Sequence, residues 1–241
     1  MKRLFDILVS FLGLIVFSPI LIPTVIAIWL QDFHSPFYIA PRVGKGGRLF
    51  KMVKLRSMVI HADKSGVDST SANDRRITGV GRFIRRYKLD ELSQLWNVLK
   101  GDMSLVGPRP QVQNDAALYT EVEKGLLRVK PGITDISSIV FADEGEILKD
   151  SKDPDLDYNQ LIRPWKSRLG LFYIDHQSFG LDVKLILLTA LAILSRERAL
   201  AGIQNILTDL GADPQLKDVA SRRTKLVPYP PPGATEIVTH R

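Results

Sequence analysis

Hydrophobic residues run almost unbroken from Ile7 to Gln31, and no charged side chain falls within that stretch. About 25 residues at ~1.5 Å each make a helix of roughly 38 Å, enough for a bilayer core of ~30 Å. Pro19 and Pro23 lie inside it. An interior proline removes an amide donor and clashes with the preceding turn, costing ~3 kcal/mol or bending the helix. Both flanks are basic, with Lys2 and Arg3 before the stretch and Arg42, Lys45 and Arg48 after it. A straight span would put only one flank on the cytoplasmic side that such flanks favour. A re-entrant helix that bends at Ser18-Pro19 and returns to the same face satisfies both, and the Ser18 hydroxyl can bond a carbonyl freed at the bend. A kinked single span is the competing reading. A signal peptide is disfavoured, because no small-x-small cleavage site follows.

Beyond the apolar stretch the pattern changes period. Phe37 to Ala40 and Leu49 to Met58 read as extended pieces around a Gly44-Lys45-Gly46-Gly47 turn, the second alternating apolar with basic residues. Residues 61–76 are rich in Ser, Asp and Asn and predict a mobile loop. Gly79-Val80-Gly81 lacks the third glycine and the preceding strand of a dinucleotide fingerprint. Leu92, Leu95, Trp96 and Leu99 have the spacing of one buried helical face, with Asp90 and Glu91 in the first turn and Gly101 as a stop. Gly107-Pro108-Arg109-Pro110 predicts a rigid loop, residues 111–128 a helix, and residues 143–168 partial helix. Leu181 to Leu200 predicts an amphipathic or apolar helix, either lying in a membrane interface or buried as core. Residues 201–241 are polar, contain Tyr229-Pro230-Pro231-Pro232-Gly233, and predict a largely disordered tail. The expected organisation is a membrane helix over 1–35, a catalytic domain over 36–200 and that tail. The fold class is mixed α/β and mainly helical, a monotopic membrane protein with interfacial amphipathic helices.

Charge narrows the function. The net charge of +7 is concentrated in two runs, Arg42 to Arg56 and Arg75 to Lys88, which suit phosphates or anionic lipid or simply a solvated face beside a membrane. Nucleic acid is disfavoured, because the basic runs lack interleaved stacking aromatics. The absence of cysteine excludes disulfides, thiolate metal sites and cysteine nucleophiles. His34, His61, His176 and His240 lie far apart and form no zinc spacing.

Two acids at a helix N-terminus are commonly just dipole-favouring surface residues worth ~0.3–1 kcal/mol. Here Asp90-Glu91 follows a basic run and precedes an arginine held between two prolines. Carboxylates beside cations stay ionised, and an ionised carboxylate can attack phosphorus or hold Mg²⁺. Arg109 is suited to grip phosphate oxygens as a fork. A membrane-tethered module whose basic face only docks anionic lipid is the rival from another class.

Several segments together resemble one family. They are Lys2-Arg3-Leu4-Phe5-Asp6, the Ser18-Pro19 break, Phe50 to Met58, the long block from Leu89 to Pro110, Pro131-Gly132-Ile133-Thr134 and Leu181-Asp182-Val183-Lys184. The chain is similar over residues 1–200 to the bacterial sugar transferases known as monotopic phosphoglycosyl transferases. The resemblance implies transfer of a sugar 1-phosphate from a UDP-sugar to a polyprenyl (undecaprenyl) phosphate with release of UMP. It implies Asp90 as the nucleophile that forms a covalent phosphosugar intermediate, and Glu91 as the partner that helps bind Mg²⁺. It implies Arg109 as a phosphate-binding residue, and Lys54, Arg85 and Asp182 as further polar site positions. It also implies the cytoplasmic face of the bacterial inner membrane, the first membrane step of polysaccharide or glycoconjugate assembly, and a minimal catalytic form without extra N-terminal spans. Self-association is left open. The chain departs from the family at Lys88, Ser93 and Asp135, and Ile136 to Val140 with Asp143 to Glu146 replace stretches common in other members. Those departures bear on sugar and nucleobase contacts, not on the dyad.

Overall fold

The computed structural model describes residues 1–62, 69–71 and 73–239. Helix α1 (Lys2–Leu30) is continuous, with Pro19 and Pro23 inside it. The Ser18 hydroxyl donates to the Ile15 carbonyl at 2.7 Å, close to where proline takes a donor out of the ladder. One side of α1 packs on the rest of the chain on both sides of the Ser18-Pro19 step. Phe5, Val9 and Leu14 meet the main core, and Leu21, Val25 and Ile28 meet a smaller cluster of Leu55, Ile84 and Leu89. The other side exposes Leu8, Phe11, Leu12, Ile15, Val16 and Ile22. An apolar face of that extent is far larger than the scattered hydrophobes of a water-facing surface. Among the described residues, α1 is the one helix long and apolar enough to cross a membrane.

Strands β1 (Phe37–Val43) and β2 (Leu49–Leu55) form an antiparallel hairpin in which Phe37 faces Leu55 and Val43 faces Leu49. This is the expected pair of extended pieces, longer in the first strand and shorter in the second. Next come α2 (Gly79–Arg86), α3 (Leu89–Leu92) and α4 (Leu95–Lys100). The single helix expected from Asp90 to Leu99 is thus two, broken at Ser93-Gln94. Gly101 ends α4 with φ +95°, a left-handed conformation that favours glycine. Arg3 donates to the last α4 carbonyls, 2.5 Å to Val98 and 2.7 Å to Leu99.

A second, parallel sheet pairs β3 (Ser104–Val106) with β4 (Gly132–Thr134). Its backbones come so close that a β-carbon on Gly132 would lie 2.1 Å from the Gly107 nitrogen. Between these strands the expected helix over 111–128 shrinks to α5 (Gln113–Ala117) and a 3₁₀ turn at Glu123–Arg128. Glu123 serves another purpose: its buried carboxylate takes bonds from Arg163 at 2.5 and 3.1 Å and from Ser167 at 2.7 Å.

The C-terminal half comprises α6 (Ile136–Val140), α7 (Glu144–Ile147), α8 (Pro154–Asp157), a π-turn at Tyr158–Ile162, α9 (Arg163–Asp175), α10 (Phe179–Leu194), α11 (Arg196–Asp209) and α12 (Pro214–Ser221). Three expectations are corrected here. The helix expected over 181–200 breaks at Ser195, whose extended backbone caps α11. The boundary set at residue 200 therefore falls inside α11. Residues 201–241 are not a largely disordered tail over their described part, 201–239. Ala199, Ile203, Ile206 and Leu207 form a buried helical stripe on α11, and Leu216 and Ala220 form another on α12. After α12 the Tyr229 ring lies 4.5 Å from that of Trp165, Thr120 donates to the Pro232 carbonyl, and Gln160 donates to the Val238 carbonyl. Helix α10 presents buried Leu181 and Leu185 on one side and exposed Leu187, Ile193 and Leu194 on the other, so core and outward faces share one helix. Of the loop expected over 61–76, the described residues form turns, with an isolated bridge from Met58 to Ile77 behind them; 63–68 and 72 lie outside the described residues, as does His240.

Candidate active site

The free edge of β2 is covered by side chains rather than by a third strand. The Asn97 amide donates to the Lys51 carbonyl at 2.7 Å and accepts from the Val53 nitrogen at 2.9 Å, which reproduces a strand's alternating pattern. The Ser93 hydroxyl adds bonds to the Val53 carbonyl at 3.1 Å and the Asp90 carbonyl at 3.0 Å. The α3–α4 break is thereby stitched to β2. That places Asp90 beside Lys54, with Oδ2 and Nζ 3.9 Å apart.

Lys88 precedes α3 in the left-handed conformation, φ +52° and ψ +29°, a cost of roughly 1–2 kcal/mol for a residue with a β-carbon. This turn joins α2 to α3 and leaves the Arg85 charge close enough to bear on Asp90. From the other side comes Arg109. Its loop is tied at three points: Gly107 N to the Thr134 carbonyl, Gly132 N to the Pro108 carbonyl and Val43 N to the Gln111 carbonyl, at 2.9, 3.0 and 3.0 Å. So fixed, Arg109 Nη1 bonds Glu91 Oε1 at 2.8 Å.

The neighbouring carboxyls are driven apart. Burial pushes Asp90 up, and the Glu91 charge adds to this against opposition from Lys54, Arg85 and Arg109. Burial also acts against ionised Glu91, but Arg109, Lys88 and Lys54 overcome it and hold that carboxyl at about 2. Burial brings Lys54 down to about 8, helped by repulsion from Arg109 and opposed by both acids. Arg109 is raised, chiefly by the Glu91 charge. Opposite shifts fit a division of labour in a pair of acids, with Asp90 the more basic oxygen donor and Glu91 the more readily ionised partner. The side chains remain reachable, Asp90 15% and Glu91 18% exposed.

The family model for bacterial sugar transferases matches residues 1–196. The chain belongs to this family. It is similar to the undecaprenyl-phosphate galactose phosphotransferase of Salmonella typhimurium, 35% identical over 217 residues that cover 83% of this chain and 41% of the relative. It is 34% identical over 197 residues to the UDP-N-acetylgalactosamine-undecaprenyl-phosphate N-acetylgalactosaminephosphotransferase of Aeromonas hydrophila, covering 80% of this chain and 44% of the relative. It is 39% identical over 197 residues to the undecaprenyl-phosphate glucose phosphotransferase of Komagataeibacter xylinus, covering 78% of this chain and 35% of the relative. The chain thus spans less than half the length of these three relatives.

Within this sugar transferase, Asp90, Glu91, Lys54 and Arg109 stand together, with Arg85 behind Asp90. The Asp182 carboxylate has other partners. It is buried at the start of α10, where Lys2 Nζ and the Tyr173 hydroxyl each approach it to 2.5 Å. Four residues that sequence reading left without a role border the site. Asn97 and Ser93 position the dyad. Lys166 lines a cavity that opens beside Arg109, together with Gln111, Asp135 and Tyr158, and it pairs with Glu144. Asn97 and Ser93 sat in the recognised block, but their partners on β2 lie 40 to 46 residues earlier. Glu144 lies where the chain departs from its family, and Lys166 lies 22 residues further on.

Among the described residues, no group of three or more His, Asp or Glu side chains could by itself hold a metal. Mg²⁺ commonly takes only one or two carboxylates and completes its shell with phosphate oxygens and water. The dyad offers that donor set: Lys54 stands beyond hydrogen-bond distance of Asp90, and Arg109 engages one of the two Glu91 oxygens.

Proposed function

We propose that this chain transfers a sugar 1-phosphate from a UDP-sugar to a polyprenyl phosphate and releases UMP. The observation that carries the reading is the half-buried Asp90 carboxylate flanked by Lys54 and by a Glu91–Arg109 pair. The Asp90 oxygen attacks the phosphorus that bears the sugar. The bond from that phosphorus to the bridging diphosphate oxygen breaks, and UMP leaves with the electron pair. An oxygen of the lipid phosphate then attacks the same phosphorus, the Asp90–phosphorus bond breaks, and the carboxylate is regenerated. No oxidation or reduction occurs. Arg109 and Lys54 neutralise the phosphoryl oxygens during both displacements. Glu91, held ionised, would hold Mg²⁺, which when bound supplies further charge neutralisation on the diphosphate. A two-step route lets two anionic substrates use the site in turn.

Anchoring supports the same reading. Both halves of α1 rest on one domain while its other side is apolar and exposed, as a monotopic, re-entrant helix on the cytoplasmic face of the inner membrane requires. A site at headgroup level can meet a soluble donor and a lipid-borne acceptor. The galactose, N-acetylgalactosamine and glucose phosphotransferase names of the relatives support an undecaprenyl phosphate acceptor. A sugar phosphate on such a lipid is suited to be the starting unit of a surface polysaccharide.

The test is UMP release from a panel of UDP-sugars with undecaprenyl phosphate and Mg²⁺. Asp90→Asn is expected to lower the rate by about four orders of magnitude or more while membrane partition persists. Donor alone should leave a phosphosugar adduct on Asp90. An Asp90→Asn protein with wild-type turnover overturns the assignment. Partition to anionic vesicles with no turnover by the wild type would favour a lipid-docking module.

A further inference from the structure

The part of the chain beyond the family match reaches back to the turn before Glu144. Asp143 sits between two arginines, with Arg196 Nη2 2.7 Å from Oδ1 and Arg222 Nη2 3.3 Å from Oδ2. Arg196 also donates to the Val140 carbonyl at 3.3 Å, and the Arg222 guanidinium lies over the Phe141 ring at 5.4 Å. The turn from Val140 to Asp143 is therefore gripped on its carbonyl, ring and carboxylate. Arg222 does this from φ +57°, an unfavourable conformation for a residue with a β-carbon, at the end of α12. Leu216 and Ala220 bury α12 and fix where that end lies.

The next residue after Asp143 is Glu144, which pairs with Lys166. Lys166 lines the cavity that opens beside Arg109, and that cavity has no lining residue from α1. Its lining includes the polar side chains of Gln111, Asp115, Asp135 and Arg163, which suit a substrate that arrives from water. Burial opposes the Glu144 charge, but Lys166 first, then Arg109 and Lys54, hold its carboxyl below the usual range. Glu144 thus belongs to the electrostatic field of the dyad although it lies over 50 residues away.

We propose that Arg222 and Asp143 are positioning residues for the UDP-sugar: they fix the turn that carries Glu144, and through the Glu144–Lys166 pair they set the donor-side wall next to Arg109. This rests on the proposed reaction. Misplacement of a positioning group by ~1 Å can cost up to about 100-fold even far from the chemistry.

The experiment compares the full chain in nanodiscs with Arg222→Ala, Arg222→Lys and Asp143→Asn. Arg222→Ala and Asp143→Asn are each expected to raise the KM for the UDP-sugar about tenfold, leaving the KM for undecaprenyl phosphate within about twofold. The double variant should be no worse than Asp143→Asn alone, because the Arg222–Asp143 contact is already lost in that variant. Arg222→Lys should recover part of the loss. Hydrogen exchange should rise over residues 141–148 and not over 89–100. An unchanged donor KM, equal rises for both substrates, or a loss confined to kcat overturns the proposal. Should Arg222→Ala not fold, the near-isosteric Asp143→Asn decides by the same criteria. If the wild type releases no UMP from any UDP-sugar, the reaction reading fails. Hydrogen exchange then decides the clamp alone, and unaltered protection over 141–148 overturns it.

Discussion

The Lys2 ammonium lies 2.5 Å from the carboxylate of Asp182, a link across 180 residues that fastens the start of the apolar helix to the start of α10. Tyr173 donates to the other carboxylate oxygen at 2.5 Å, and burial with the Asp182 charge raises that phenol well above its ordinary range. Asp6 adds bonds from the Ser104 hydroxyl and the Leu105 nitrogen at 2.9 and 3.1 Å. The N-terminal turn of α1 is thus held by charge while the rest of its contact face is held by apolar packing.

Removing Lys2 should leave the buried Asp182 carboxylate without its cation; Lys2 itself is a third exposed, so the loss is that of one hydrogen bond to a charged group, about 1.5–3 kcal/mol. Lys2→Ala should therefore lower the midpoint of thermal or denaturant unfolding in detergent, with a smaller effect for the paired variant Lys2→Met with Asp182→Asn. Equal stability of Lys2→Ala and wild type would show that the pair carries no anchoring energy.

Lys54 predicts a pH dependence. Its ammonium, brought down to about 8 by burial and by Arg109, is charged below that pH and neutral above it. Loss of a cation beside Asp90 weakens phosphoryl neutralisation, so kcat/KM for the donor should fall as pH rises through about 8. Lys54→Arg keeps the charge to far higher pH and should abolish that alkaline limb even if its rate is lower. A limb that persists unchanged in Lys54→Arg assigns it to another group.

Gly132 is predicted to be intolerant of even one methyl group. A β-carbon there would meet the Gly107 nitrogen at 2.1 Å, and both partners are backbone. Gly132→Ala must part β3 from β4 and loosen the bond that ties the Pro108 carbonyl, on which the placement of Arg109 depends. A cost of about 3 kcal/mol or more is expected, with a rise in donor KM in whatever folded protein is recovered. Wild-type melting and KM would contradict the close approach.

The candidate groups were legible because their chemistry is local: two adjacent acids, an arginine between prolines, and a basic strand. What joins them was not. Asn97 looks like one more polar residue on a helix, and its use as a substitute strand depends on β2, which lies 44 residues earlier. Strands β3 and β4 have three residues each, too few for a period of two to register. The single helices read over 90–100 and 181–200 missed breaks at Ser93 and Ser195, where a hydroxyl bonds backbone and stops the ladder. The polar composition of residues 201–241 hid two narrow apolar stripes and an aromatic contact to Trp165. The family resemblance implied Asp182 as a polar site position; in the structure its partners are Lys2 on α1 and Tyr173 on α9, and neither was legible from the sequence around it.

The topology of α1 is the remaining expectation. A single span would carry one end of the helix roughly 30 Å from the other across hydrocarbon. Yet Lys2 and Arg3 bond the catalytic domain at one end, and Ile28 packs against Leu55, Ile84 and Leu89 at the other. Just beyond, Asp32 takes two bonds from Arg56, at 2.5 and 2.7 Å. Both ends of α1 can keep these partners only if they lie on one side of the bilayer. The protein has no cysteine of its own, so single cysteines near Met1 and near Ser35 can be read without background. Each should react with a membrane-impermeant maleimide in inverted vesicles and be protected in intact cells. Labelling of the Met1 site from outside would establish a full span and would require the Lys2–Asp182 and Arg3–Val98 contacts to be absent in the membrane.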